Sequence, residues 1–420
     1  MYIDKEKYLN VFFAIILLIL TMSVCSNIAI PYLLWYVLFL ISGLIFPFEY
    51  CVGLLFLMVP FYTIVPMDSI CLIFIATYFL RTRDFNVNRL NFILLVILIF
   101  IDAIAELKFG GRLKSSIVFS FYLMTASIIC LQPYENYMRR IMQNCFVYSL
   151  VCALISSMYI AIKVGGVSLM LSWRLGMPMQ DSIYTFTIGS NGTGLMCLLG
   201  ITILISRYLM NDNKKNRDIL ISLFFILCGL LTQSRAFLVG LAATVILFSI
   251  FVYKERDLKL RYVLGVTILA IISIYIYMNY LPESVDALLE RFATHEGDIT
   301  NGRTSINGYY IENMFNDLQG ALFGYGLMSY RDYLGGQSIH NALLEVFISW
   351  GLLGGWISIA WIYNLIKTQI MSLRRPLLYT VIPMCIVLLM VQSTRLFRTI
   401  VPIFYLMISI ISIYKKNEDE

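Results

Sequence analysis

Charge is scarce in this chain: Asp, Glu, Lys and Arg together supply 13% of 420 residues, against 60% apolar residues and a mean hydropathy of +0.81. A soluble domain runs near a quarter charged, so a water-solvated globule is excluded and lipid must be the solvent for most of the chain. Histidine is almost missing, with His295 and His340 the whole supply. The cysteines are nine, an odd number, and none falls in a CxxC pair. No His/Cys cluster therefore exists from which to build a zinc site, and the cysteines read as apolar packing residues rather than a disulfide framework. The chemistry is expected to be metal-free or to borrow a loosely held ion, with no cofactor. Internal repeats of 20 to 50 residues and low-complexity tracts are absent, which argues against a solenoid.

What is present is a succession of long apolar runs, among them 11–20, 92–101, 219–231, 241–252 and 381–391. With their flanks many reach the roughly 20 residues that a hydrocarbon core demands. Lipid offers no hydrogen bonds to an open backbone, so these runs are expected to be helices. The expected fold is all-α: a polytopic helical bundle of about 12–14 spans, one transmembrane domain over 1–420 with a single large external loop at 282–340. The first apolar run follows Lys5 and Lys7 but lacks a small-residue cleavage site, so it reads as an anchor rather than a signal peptide.

Basic residues gather in alternating connections: Lys5/Lys7, Arg81/Arg83/Arg89, Arg139/Arg140, Lys214/Lys215/Arg217, Lys254/Arg256/Lys259/Arg261, Lys367/Arg374/Arg375 and Lys415/Lys416. By the positive-inside rule these connections and both termini are cytoplasmic. The other loops, 109–114, 164–186, the 234–235 junction, 282–340 and 395–398, are then external. The long one carries the spacing of a short amphipathic helix over 304–317 and a Gly-x-Gly within 322–327. A loop of that length usually has a function of its own.

The external cations are mostly arginine: Arg112, Arg174, Arg235, Arg291, Arg303, Arg331, Arg395 and Arg398, with Lys108, Lys114 and Lys163 beside them. A guanidinium fork grips phosphate bidentately and suits a pyrophosphate at a membrane surface. The plainer alternative is interfacial snorkelling or pairing with Glu283, Asp286 and Glu290. Arg235 stands out because it interrupts two apolar runs, where a charge is costly. His340 precedes a span and is followed by Asn341; a histidine at that boundary can act as a general base on a sugar hydroxyl, or simply cap the helix. Asp102 and Glu106, four apart on one helix face, are expected to pair with Arg112 or Lys114 near the outer interface rather than to line a proton path. Glu345 would orient the acceptor or the histidine, or pair with a buried arginine.

One pattern is more specific. Residues 338–354 read SIHNALLEVFISWGLLG: His340-Asn341, nine residues, Gly351, two residues, Gly354. This resembles the His signature of the bacterial O-antigen ligase and O-antigen polymerase superfamily. Thr232-Gln233-Ser234-Arg235 resembles that family's Ser-Arg pair at the outer end of a span, and Asn301-Gly302-Arg303 its Gly-Arg early in the large external loop. The resemblance covers best about residues 187–365. A further arginine-to-glycine spacing at Arg291 and Gly302 is similar to one described for the polymerases, without a second copy at Arg174.

The resemblance implies a GT-C-like fold and an inverting, metal-independent glycosyltransferase. Its donor would be an undecaprenyl-pyrophosphate-linked glycan, used in the bacterial inner membrane with the site on the periplasmic or external side. His340 would be the catalytic base; Arg235, Arg303 and Arg291 would hold the pyrophosphate; Asn341, Glu345 and Arg174 would support acceptor or base. Membrane lipid and the lipid-linked glycan are the implied partners, together with a flippase and a chain-length regulator, and nucleic acid is not one. Polymerase is favoured over ligase because the idiosyncratic early spans suit a divergent polymerase. A glycolipid flippase is the alternative of another class, although a transporter should carry midplane charges and an internal repeat.

Overall fold

The computed structural model describes residues 2–82, 88–111, 113–132, 134–178, 183–210, 216–254, 303–335, 339, 341–370 and 400–411, with scattered positions between 268 and 289. Among these the chain is helical, without a strand, as an all-α polytopic membrane protein requires. The helices are α1 (Tyr2–Ser26), α2 (Tyr32–Ile45), α3 (Phe48–Met58), α4 (Met67–Arg81), α5 (Arg89–Lys108), α6 (Leu113–Cys130), α7 (Asn136–Ser172), α8 (Ser190–Met210), α9 (Asn216–Leu231) and α10 (Arg235–Lys254). After them come α11 (Arg303–Met314), α12 (Leu318–Phe323), α13 (Tyr330–Leu334), α14 (Ala342–Ile370) and α15 (Ile400–Ile411).

Four of the described helices are long and apolar enough to cross a membrane: Tyr8–Ser26, Arg89–Lys108, Asn136–Ser172 and Ala342–Gln369. The crowded apolar stretch near 33–80 resolves into shorter pieces. Pro47, Pro60 and Pro66 punctuate it, and a proline supplies no amide proton to continue a helix. α3, only 11 residues, is too short to span. It is instead swallowed by the bundle, with every residue from Tyr50 to Met58 buried, and packs along α7, whose Ser149 hydroxyl donates to the Leu57 carbonyl. Several polar side chains within the apolar helices bond their own backbone: Thr21, Ser157, Thr202, Thr244 and Ser409 each donate to the carbonyl four residues earlier. That is the cheapest partner when no water is present.

Side-chain hydrogen bonds fix which helix ends lie together. At one end Asp102 of α5 meets Ser116 of α6 and Trp350 of α14. Farther along, Trp361 Nε1 donates to Ser127 Oγ (3.1 Å), and beyond that Gln369 reaches the carbonyls of Cys130 and Gln132. α6 and α14 therefore run parallel, with α5 antiparallel to both. At the far end the fully buried Arg139 of α7 donates to the carbonyls of Tyr134 (3.1 Å) and Ile411 (3.0 Å) and to Gln369 Oε1 (2.6 Å). Arg207 and Asp218, 3.9 Å apart, join α8 to α9 at this same end, where Gln143 also accepts from Arg207. The opposite end gathers the 102–116 hairpin, the 172–193 connection, the 231–237 turn and the 303–341 segment, and is called the loop end below.

Candidate active site

At the loop end the α9–α10 connection is a turn of three residues. Gln233 occupies left-handed backbone (φ +50°), which few side chains adopt without reason. Thr232 Oγ1 accepts from the Ser234 amide (3.2 Å) and donates to Gly229 O (2.6 Å). Ser234 Oγ accepts from the Phe237 amide (3.4 Å), capping α10, and donates to Asn191 Oδ1 on α8 (3.1 Å). Gln233 Nε2 ties the turn to Ser172 O (3.1 Å) at the end of α7. Arg174, just past α7, donates from Nη2 to Ser190 Oγ (2.6 Å), the residue beside Asn191. Thus the expected site residues Arg174 and Arg235 flank one polar seam, Ser190-Asn191 on α8 against Ser234 on α10, and both are half-buried.

Their placement is electrostatically odd. Arg235 is the first residue of α10 and Arg303 the first of α11. A helix N-terminus is its positive end, where a cation is disfavoured by roughly 0.3–1 kcal/mol and an anion is welcomed. A stability-driven sequence would put Asp or Glu there. α14 also begins at this end, behind Asn341, whose Oδ1 accepts from the amides of Leu343 and Leu344 (both 3.1 Å). The capping role weighed for His340 is thus filled by its neighbour.

Glu345, one turn into α14, is buried and its Oε1 accepts from the Tyr330 hydroxyl (3.1 Å). His340 and Arg291 lie outside the described residues, as do Arg112, Arg395 and Arg398; of Arg303 only the backbone lies within them. Among the described residues no three of His, Cys, Asp and Glu gather closely enough to hold a metal ion.

Of the cations expected to pair with Asp102 and Glu106, Lys114 is exposed and Arg112 lies outside the described residues; the bonds described run to the loop and to neighbouring helices. Asp102 Oδ1 accepts from Trp350 Nε1 (2.8 Å) and the Leu327 amide (3.2 Å), and Oδ2 from Ser116 Oγ (2.6 Å). Glu106 Oε1 accepts from the Met328 amide. The cause is a crossing of backbones. Gly351, the first glycine after the histidine in the 338–354 pattern, has φ +65° and kinks α14. Such a kink withdraws the usual i+4 amides from the carbonyls before it. The amides of Tyr325 and Gly326 replace them, donating to Ile348 O (3.0 Å) and Ser349 O (2.8 Å). Close approach requires glycine on both sides: a Cβ on Gly324 would sit 2.2 Å from Ser349 O, and one on Gly351 2.3 Å from the Leu322 carbonyl carbon. Gly354 completes the set, since a Cβ there would meet Ile101 of α5 at 3.3 Å.

Behind this crossing a small apolar cluster of Tyr310, Met314, Tyr325, Tyr330, Ile339 and Ile348 holds α11 to α13 together. Tyr310 and Tyr330 meet edge to face at 5.7 Å, and burial pushes the Tyr310 phenol up to about 12, so it serves as a neutral ring. Reasoning from sequence missed Trp350, Tyr330 and the structural use of Gly351. The available signal was a glycine within a continuous apolar run, and two acids on a face that should have been lipid-soluble.

Residues 220–359 match the family model described as O-antigen ligase, whereas no curated protein matches the chain. The match runs from α9 through α10 and the loop-end helices into α14, and so includes both arginine-led helices and the Gly351 crossing. The match supports the resemblance to the O-antigen ligase and polymerase superfamily over that third of the chain.

Proposed function

We propose, with that superfamily as the premise, that this protein polymerises undecaprenyl-pyrophosphate-linked oligosaccharide repeats into O-antigen or capsular polysaccharide at the outer face of the bacterial cytoplasmic membrane. In this reading the chain is one transmembrane domain, residues 282–340 are its external loop, and the loop end faces outward. The observation that carries it is the pair of arginines at helix starts. Arg235 opens α10 and Arg303 opens α11, so the sequence sets arginine, the residue type that grips phosphate bidentately, at the start of two helices, where the backbone's positive end already favours a diphosphate.

An acceptor hydroxyl attacks the anomeric carbon of the donor. The new C–O bond forms as the bond to the pyrophosphate oxygen breaks, with inversion, and the electron pair leaves on the lipid diphosphate. His340 takes the hydroxyl proton. Arg235, Arg303 and Arg291 stabilise the charge that grows on the leaving group, the largest contribution such a site can make. Arg174, beside the α8–α10 seam, adds positive potential, while Asn341 and Glu345 set the first turn behind the base. The polar seam and the loop supply these roles without a metal. A flippase would deliver the donor and a chain-length regulator would meet the product.

Ligation of finished chains to lipid A-core is the second reading, favoured by the description of the matching family and by the complete His340-Asn341…Gly351…Gly354 pattern. A strain lacking the gene separates the two on a glycan gel. Core bearing single repeats marks a polymerase, unlinked long chains a ligase, and loss of exported repeats a flippase. Complementation with His340→Ala or Arg235→Ala should leave the polymerase phenotype uncorrected. Arg235→Lys should restore only a small fraction of long-chain glycan, because a point charge does not replace a bidentate fork; full restoration would remove the diphosphate role from this residue.

A further inference from the structure

Asp102 and Glu106 lie on α5, outside the segment that resembles known proteins, yet their carboxylates are spent on the loop-end strap. Four consecutive amides of that strap are accounted for. Tyr325 and Gly326 bond the carbonyls freed by the α14 kink, and Leu327 and Met328 bond Asp102 and Glu106. The strap then turns into α13, whose first residue, Tyr330, donates its hydroxyl to Glu345. Glu345 is tied to the α14 start through its own amide, which donates to Asn341 O (2.9 Å), the residue next to His340. A continuous path of hydrogen bonds therefore joins two acids of α5 to the first turn of α14, which follows residue 340 in the chain. Both acceptors are buried, where a lost hydrogen bond leaves a donor with no water to replace its partner, so the strap has little freedom to slide.

We infer that Asp102 and Glu106, acting through the 325–330 strap and the Tyr330–Glu345 hydrogen bond, are positioning residues that set the first turn of α14, the turn that follows the proposed base His340 in the chain. This rests on the reading of His340 as the base, but the mechanical coupling is independent of that reading. Gly111 belongs to the same device: a Cβ there would fall 1.6 Å from Glu106 Oε2, so the α5–α6 turn is shaped around the carboxylate. The inference separates two kinetic parameters. Positioning the base acts on the attacking hydroxyl and should lower kcat, whereas donor binding rests on the arginines and should leave the donor KM alone.

The test uses the full chain in lipid nanodiscs with a purified undecaprenyl-pyrophosphate-linked repeat as both donor and acceptor. Tyr330→Phe removes one hydroxyl and keeps the ring; Asp102→Ala removes the acceptor of Leu327 and Trp350. Asp102→Asn retains that acceptor and offers Nδ2 to the Ser116 hydroxyl. Tyr330→Phe and Asp102→Ala are expected to lower kcat on the order of ten-fold with donor KM within about two-fold, and Asp102→Asn to recover most of the loss. Amide exchange over 341–346 should speed up in both damaging variants and not in Asp102→Asn. Unchanged exchange in Tyr330→Phe and Asp102→Ala overturns the coupling, whatever the activity. Faster exchange with wild-type kcat, while His340→Ala is inactive, overturns the positioning role alone. Wild-type turnover in His340→Ala overturns instead the reading of the base, and the exchange result then still decides the coupling.

Discussion

At the scale of single residues, Gly351 is tightly constrained. Its φ of +65° and the 2.3 Å that would separate a Cβ from the Leu322 backbone act together. Backbone, unlike the tip of a side chain, has no room to yield. Gly351→Ala should therefore cost more than the 1–2 kcal/mol that a left-handed alanine alone costs, and the protein is expected to leave detergent extraction as aggregate on size-exclusion chromatography. Trp350 makes a milder case. Its Nε1 donates to Asp102 at 2.8 Å within a buried group that also takes Ser116 and the Leu327 amide. Trp350→Phe keeps most of the packing against Phe119, whose ring centroid lies 5.0 Å away, and loses one donor to a carboxylate. A loss of about 1–3 kcal/mol is expected, read as a lower thermal unfolding midpoint with the strap still in place.

At the scale of elements, the helices divide by what satisfies their ends. α14 begins under the Asn341 cap and α12 under Asp317, whose carboxylate accepts from the Gln319 and Gly320 amides. α15 ends in a different way. The Ile411 carbonyl, in its last turn, is taken by the buried guanidinium of Arg139, which also holds Tyr134 O and Gln369. One side chain thus clamps the α6–α7 connection, the end of α14 and the end of α15. Arg139→Met would keep the volume and leave two main-chain carbonyls and an amide oxygen without that donor. At about 1–3 kcal/mol for each orphaned group, this should lower the unfolding midpoint further than Trp350→Phe does, while donor binding at the other end stays unchanged.

At the scale of the whole molecule, the two ends differ in kind. The far end holds Arg81, Arg139, Arg207, Arg217 and Lys367, each near the terminus of its helix. The loop end holds α11 to α13, the start of α14, and Arg174 and Arg235. If the loop end faces outward as proposed, a membrane-impermeant maleimide should label Tyr333→Cys in intact cells and leave Tyr137→Cys unlabelled, in a chain stripped of its nine cysteines. Both positions are exposed, at 56% and 44%, so access to the reagent and not burial decides the result. The reverse pattern would put the candidate site in the cytosol and end the proposal.

Much of this was legible in the residues themselves. Scarce charge and long apolar runs require helices in lipid, because nothing but the chain can satisfy its amides there. The His340-Asn341…Gly351…Gly354 order pointed to the superfamily that residues 220–359 match. Periodicity marked the helix that forms over Arg303–Met314, and the Gly-x-Gly marked the turn at Gly324 and Gly326. Other features depended on contacts between residues far apart in the chain. Asp102 and Glu106 looked like partners for a nearby cation. The structure adds bonds to amides more than 200 positions away, because a kink in α14 draws the strap across that helix and leaves its next amides facing α5. Local composition decides which solvent a segment must suit. Which buried acceptor meets which donor is decided only when the helices pack, since that pairing depends on distances no local pattern encodes.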